Sequence, residues 1–158
     1  ATADRAREIL GRQLAQLIRL VDDLLDVSRI TTGKLALQTG PVPLAAALQS
    51  AIETVRPLAE SRGHTLEAVL PGTDVRVEGD ATRLAQVFAN LLNNACKYTE
   101  PGGRVRVEAA VEAGWAAVRI TDTGIGIAPD MLGRVFEMFE QADASLERRH
   151  GGLGVGLS

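Results

Sequence analysis

The sequence predicts an α+β sandwich, with helices on one face of a sheet and a long amphipathic helix in front of it. Two stretches with apolar residues at helical spacing begin at Pro43 and Asp80. Short segments of period two lie between and after them, near Thr65–Leu70, Val75–Glu78, Arg104–Glu112 and Trp115–Asp122. Helices separated by antiparallel strand pairs bury their apolar stripes against the sheet those strands make.

Composition narrows the choice further. A chain of 158 residues suits one domain with an appendage. At 46% hydrophobic and only 3% aromatic, its core is built from Leu, Val, Ile and Ala. Acidic residues outnumber basic ones, 20 to 17, and no dense Lys/Arg block occurs, so no nucleic acid and no anionic membrane is expected as the main partner. No apolar run reaches the roughly 18 residues that span a bilayer, and no signal-peptide pattern opens the chain. The segment is therefore expected to act in the cytoplasm without direct membrane contact, whether or not a longer parent is anchored. Cys96 is the single cysteine, which excludes an internal disulfide and a cysteine-rich zinc site and suits a small core residue. His64 and His150 are isolated, without metal-ligand spacing.

Along residues 1–33, Leu10, Leu14, Leu17, Val21 and Leu24 recur in alternating steps of four and three, a heptad seam widened by Ile18 and Leu25. Such a stripe calls for a helical bundle, here with a second copy of the chain. Gly33 ends that helix. Lys34 to Val42 shows short alternation, at Leu35 and Leu37 before the Gly40-Pro41 breaker, which suggests a brief strand. Leu44, Leu48, Ile52 and Val55 then mark a helix that starts at Pro43, is kinked by Pro57 and is closed by Gly63. A turn at Pro71-Gly72-Thr73-Asp74 separates the next two strands. Ala113-Gly114 joins the last two as a hairpin, in which Val105, Val107, Val111, Val118 and Ile120 keep period two and Trp115 packs.

Between these pairs lies Asp80–Thr99, DATRLAQVFANLLNNACKYT. Leu84, Val87, Phe88, Leu91, Leu92 and Ala95 form its apolar side, and Arg83, Gln86, Asn90, Asn94 and Lys97 its polar stripe. Asp80 suits the N-cap, and Pro101-Gly102-Gly103 stops the helix. Taken alone, this is equally an ordinary amphipathic helix with a solvated polar face. Asp122-Thr123-Gly124-Ile125-Gly126-Ile127 leaves the last strand: a buried carboxylate at a strand end, followed by glycines that admit a flat ligand, suits an exocyclic amine such as that of adenine. In isolation it is also compatible with a plain turn. After VFEMFEQ and a long polar segment of lid-like length, the chain reads GGLGVGLS, whose Gly152, Gly154 and Gly156 can turn successive amides toward an anion.

In that order, NLLNNACKYT, DTGIGI, VFEMFEQ and GGLGVGLS resemble the N, G1, F and G2 boxes of sensor histidine kinases, members of the Bergerat-fold ATPase group that includes gyrase and a heat-shock chaperone. RQLAQLIRLVDDLLDVSRITTGKLAL is similar to the second helix of that family's dimerisation and phosphotransfer hairpin. The resemblance implies a mixed sheet, an N-terminal hairpin helix over 1–33, and a catalytic ATP-binding domain over 34–158 that stops before the family's last strands. It assigns Mg2+ to Asn94, with Asn90 supporting the metal and phosphates, Lys97 and Tyr98 on phosphate or ribose, and Asp122 on the adenine amine. Gly124 and Gly126 would keep the base pocket open, Gly152, Gly154 and Gly156 would cradle phosphates, and Arg148 or Arg149 would meet the γ-phosphate. Asn90 stands where the ATP-hydrolysing branches carry a water-activating glutamate, which favours transfer to a histidine. The acceptor-histidine motif is absent, so this segment alone is not expected to autophosphorylate, and Leu153 departs from the small or hydroxylated residue frequent there. Implied partners are a homodimer through the N-terminal bundle and a response-regulator receiver domain. The alternatives are a Bergerat-fold ATPase and a non-catalytic nucleotide-binding or dimerisation module.

Overall fold

The computed structural model describes residues 36–70, 75–133 and 135, together with the isolated positions 7, 10, 11, 14 and 21. In chain order the elements are β1 (Gly40–Pro43), α1 (Leu44–Ser61), β2 (Thr65–Val69), β3 (Arg76–Gly79), α2 (Ala81–Tyr98), β4 (Arg104–Glu112) and β5 (Trp115–Asp122). The main sheet has the order β2-β4-β5 and is mixed. β2 runs parallel to β4 from Thr65↔Arg104 to Val69↔Glu108, and β4 runs antiparallel to β5 from Val105↔Asp122 to Glu112↔Trp115. β1 and β3 make a separate antiparallel ribbon, Gly40↔Gly79 through Pro43↔Arg76.

Both helices lie over one face of the main sheet, so the expected α+β sandwich is the fold observed. α1 buries Leu44, Ala47, Leu48, Ala51, Ile52, Val55 and Ala59, a stripe at helical spacing. α2 buries Phe88, Leu92, Ala95 and Cys96 against it. Val105, Val107 and Ala109 rise from β4 to complete the core, with Leu66, Val118 and Ile120 packed at its edge. Cys96 is fully buried, and that burial pushes its thiol pKa up.

Local chemistry sets the ends of α1. Pro43 precedes its first turn. The helix runs on past exposed Pro57 to Ser61, then closes as a Schellman motif: Gly63, at φ +67°, donates to Glu60 O at 3.0 Å, and His64 donates to Ala59 O at 2.9 Å. The β4–β5 hairpin forms as expected, with Ala113 and Gly114 at φ +49° and +84°, the left-handed pair a tight two-residue connection demands.

Other expectations are corrected. The brief strand expected within 34–42 is Gly40–Pro43, on the supposed breaker itself, whereas residues 36–39 have no regular structure, Leu37 is exposed and Leu35 lies outside the described residues. With one neighbour among the described residues, this strand tolerates Pro41 and Pro43, which share one parity and so lack N–H groups on the same side, while Val42 is buried. β2 and β3 do not pair with each other; they join different sheets. Val87 and Val111 are exposed, and Trp115, expected to pack, is 79% exposed. β4 and β5 run past the end of the helical layer, so their period-two residues lose their cover near the hairpin tip. The turn at 71–74 lies outside the described residues.

Candidate functional site

The polar stripe of α2 begins from a well-made N-terminus. Asp80 Oδ1 accepts from the backbone N–H groups of Thr82 and Arg83 at 3.0 and 3.2 Å, and its Oδ2 accepts from Gln38 N–H at 3.0 Å. Those bonds, with that from Gln38 the strongest, hold the carboxyl below the usual aspartate range. The contribution of this cap is therefore fully present above the ordinary aspartate pKa and is lost as pH falls through the lowered one. Asn90 and Asn94 are half-buried one turn apart, and Tyr98 follows one turn later. Val87 lies on this side too, at i, i+7 and i+11 with Asn94 and Tyr98, which explains why it is not in the core. Val87, Tyr98 and Ile125 stand 52%, 40% and 56% exposed, an apolar surface beside the amides.

The C-terminal end of α2 meets the loop after β5. Ile125 N–H donates to Tyr98 O at 3.2 Å. Gly124 sits so close beneath that carbonyl that a Cβ there would lie 2.5 Å from Tyr98 O and 2.7 Å from Asp122 Oδ1. Only glycine permits this approach. Asp122 Oδ1 in turn accepts from Gly124 N–H at 2.8 Å. Thr123 closes the base of the loop by donating to Arg104 O at 3.1 Å and accepting from Arg104 N–H at 3.0 Å. Gly126 takes φ +70°. Lys97 Nζ lies 4.9 Å from the centroid of the Tyr98 ring, a cation on an aromatic face at the same end of the helix.

Two residues that sequence reasoning missed hold this end in place. The Arg62 guanidinium donates through Nη1 to the carbonyls of Cys96, Lys97 and Thr99 at 3.2, 3.0 and 3.4 Å. His64 Nε2 lies 3.0 Å from Cys96 O and, because a carbonyl only accepts, carries the hydrogen. A fixed cation at a helix C-terminus opposes the negative end of the macrodipole and satisfies carbonyls that have no helical partner. No local signal could have found either residue, since their partners lie more than thirty positions away. Arg62→Ala is expected to lower stability by about 2 kcal/mol, with Arg62→Lys recovering part of it, as read by urea unfolding. A loss below about 0.5 kcal/mol would mean that water serves those carbonyls as well.

The structure thus sets Asn90, Asn94, Lys97 and Tyr98 along the C-terminal half of α2 and fastens the loop that carries Asp122, Gly124 and Gly126 to the end of that helix. Asp122 is exposed among the described residues rather than buried as expected. Arg148, Arg149, Gly152, Gly154 and Gly156, and VFEMFEQ beyond Val135, lie outside the described residues.

Comparison with known proteins places this geometry. The model for histidine kinase-, DNA gyrase B- and HSP90-like ATPases matches residues 79–158. DivJ, a histidine protein kinase of Caulobacter vibrioides, is 36% identical over 151 residues, covering 96% of this chain and 25% of DivJ. BarA, a signal transduction histidine-protein kinase of Escherichia coli, is 38% identical over 154 residues, covering 94% of this chain and 17% of BarA. The chain thus spans a quarter or less of these two relatives. Among solved structures, the mycobacterial sensor histidine kinase MprB is 33% identical at a TM-score of 0.64, with 75% of this chain and 72% of that one covered. Full-length ShkA in complex with AMPPNP is 31% identical at a TM-score of 0.74, with 90% and 29% covered. The chain belongs to the histidine kinase-, gyrase- and HSP90-like ATPase family. Within it, the match to MprB and to the kinase relatives makes it the catalytic ATP-binding domain of a sensor histidine kinase.

Proposed function

We propose that this chain holds Mg-ATP along the polar side of α2 and delivers the γ-phosphate to a histidine on a helical hairpin. Residues 1–33 are read as the second helix of that hairpin and residues 34–158 as the catalytic domain. The observation that supports this most is the junction at Gly124, where the Asp122 loop is fastened directly onto the last turn of the asparagine-bearing helix. A base recognised by Asp122 would place its ribose and phosphates toward Tyr98, Lys97 and Asn94, in that order along the helix.

The residues present fit a magnesium ion. Asn94 and Asn90 offer neutral amide oxygens one turn apart at half-buried positions, and among the described residues no group of three or more His, Cys, Asp or Glu side chains is arranged for a metal. Such a sparse oxygen donor set suits Mg2+, which keeps water and phosphate in its shell. When bound, the ion offsets charge on the phosphate oxygens. Asn94 is the ligand, and Asn90 supports it. Lys97 and Tyr98 serve the phosphates or ribose, and Gly124 and Gly126 leave room for the base. Gly152, Gly154 and Gly156 cradle the phosphates, with Arg148 or Arg149 on the γ-phosphate. Asn90, an amide, has no basic pKa with which to activate water, so positioning and charge neutralisation are directed to phosphoryl transfer.

The parent acts as a homodimer through its N-terminal helices, and a response-regulator receiver domain takes the phosphoryl group next. Exposure of the helical seam residues Leu10, Leu14 and Val21, at 68%, 60% and 54%, supports a partner for that stripe. No helix among the described residues is long and apolar enough to cross a membrane, in keeping with a cytoplasmic place for this segment.

The test is to titrate the chain with Mg-ATP and then supply a separate hairpin carrying the acceptor histidine. Nucleotide binding followed by labelled phosphate on that histidine is the expected result. ATP consumption without acceptor would instead indicate an ATPase, and binding with neither would indicate a non-catalytic module.

A further inference from the structure

Asp80 is bonded on two sides, and the two sides belong to different parts of the chain. One carboxylate oxygen caps α2 through Thr82 and Arg83, and the other accepts from Gln38 N–H at 3.0 Å. Gln38 lies in the exposed, irregular segment 36–39, which joins residues 1–33 to the domain. From Gly40 onward the chain is already fastened: β1 pairs with β3 from Gly40↔Gly79, and Leu44 N–H donates to Val75 O at 2.8 Å. β3 in turn runs into α2 without an intervening loop. Gly79 packs so tightly on the first turn that a Cβ there would lie 3.0 Å from Leu84 Cδ1. The β1–β3 ribbon and the start of α2 therefore form one body. The bond from Gln38 to Asp80 extends that body into the segment leading back toward residues 1–33.

We propose that Asp80 is a positioning residue that couples the entry segment to the nucleotide helix, so that Mg-ATP on α2 and ordering of residues 36–39 favour each other. The coupling rests on the Mg-ATP function proposed above; the Gln38–Asp80 bond does not. Linkage makes the effect reciprocal: whatever nucleotide does to the segment, a displacement of the segment does to nucleotide affinity. Residues 1–33 thereby have a route to the Asn90–Asn94 face that needs no contact with the nucleotide.

The chemistry of the carboxylate supplies a selective variant. Asp80→Asn keeps one acceptor oxygen, sufficient for the cap, and turns an N–H2 donor toward Gln38 N–H, which it cannot accept. Asp80→Ser likewise caps a helix but offers no second acceptor at that reach. Amide hydrogen exchange of Gln38, Thr82 and Arg83 is measured in the whole 158-residue chain with and without Mg-AMPPNP, alongside nucleotide Kd by calorimetry.

In the wild-type chain, nucleotide is expected to slow exchange at Gln38 by about fivefold, the lower end of ordinary coupling. In both variants Gln38 should exchange fast and ignore nucleotide, while Thr82 and Arg83 remain protected. Unchanged Gln38 exchange in both variants overturns the proposal. So does a wild-type Gln38 that is blind to Mg-AMPPNP although calorimetry shows it bound. Loss of Thr82 and Arg83 protection in both variants with Gln38 exchange unchanged also overturns it, since the carboxylate would then be a cap alone. Failure of the wild-type chain to bind Mg-AMPPNP overturns the nucleotide function and the coupling with it. That outcome is told apart by calorimetry, and the Gln38–Asp80 bond is still read from the nucleotide-free exchange rates.

Discussion

Asp122→Asn is expected to weaken ATP binding by roughly 10- to 100-fold without unfolding the domain. Asp122 Oδ1 is engaged by Gly124 N–H at 2.8 Å, so in the proposed site the adenine amine would fall to Oδ2. An asparagine can keep the bond to Gly124 through its single oxygen, but its N–H2 then meets the amine donor to donor. The loss is that of a charge-assisted hydrogen bond, with an added mismatch between two donors. Calorimetric titration with Mg-ATP measures it, and the unfolding midpoint serves as the control, since Asp122 is exposed and its substitution leaves the core untouched. An unchanged Kd would remove Asp122 from base recognition.

Gly124→Ala is expected to damage both stability and binding. The new methyl carbon would lie 2.5 Å from Tyr98 O and 3.0 Å from Tyr98 C, both backbone atoms of a helix end that Arg62 and His64 hold. Neither can yield as a side-chain tip would, so the loop must move, and the Ile125 bond to Tyr98 O moves with it. A cost of about 1–3 kcal/mol follows for an overpacked site, with at least a tenfold loss of ATP affinity because Asp122 shifts as well. Gly126→Ala is the comparison. Its Cβ would meet open space, so its penalty is the backbone strain of φ +70° alone, about 1–2 kcal/mol. Urea unfolding and nucleotide titration of the two variants separate close contact from strain. Equal affinity losses would show that loop conformation, and not the approach to Tyr98, governs the site.

Much of the molecule was legible because it depends on neighbours in sequence. The Asp80 cap, the stop after Tyr98, the Gly63 closure and the left-handed Ala113-Gly114 turn each follow from residues within a few positions of one another. The hairpin Arg104–Glu112 with Trp115–Asp122 came out at its expected limits for the same reason. Box order along the chain likewise disclosed the family without any coordinates.

Other features needed partners that local pattern does not contain. The brief strand settled on Gly40–Pro43 because β3 was there to receive it, and not on residues 36–39 just before it. β2 and β3, adjacent in sequence, went to separate sheets because β2 found β4 across the α2 connection. Val87 belonged to the apolar register of α2 by spacing, yet only the placement of α1 and the sheet determined which arc would be covered. The same holds for Arg62 and His64, whose bonds to the end of α2 exist only once the α1–β2 turn is folded against it.

The sequence by itself determined the helices, their ends, the hairpin and the kind of chemistry the asparagines, Asp122 and the glycines were suited to, since propensity, capping and turn geometry act over a few residues. Tertiary structure alone decided strand partners, which face of α2 is buried, and how the Asp122 loop is fastened to the asparagine-bearing helix. Those outcomes depend on packing between segments far apart in the chain, where several local patterns compete for the same apolar surface and the same unpaired backbone groups.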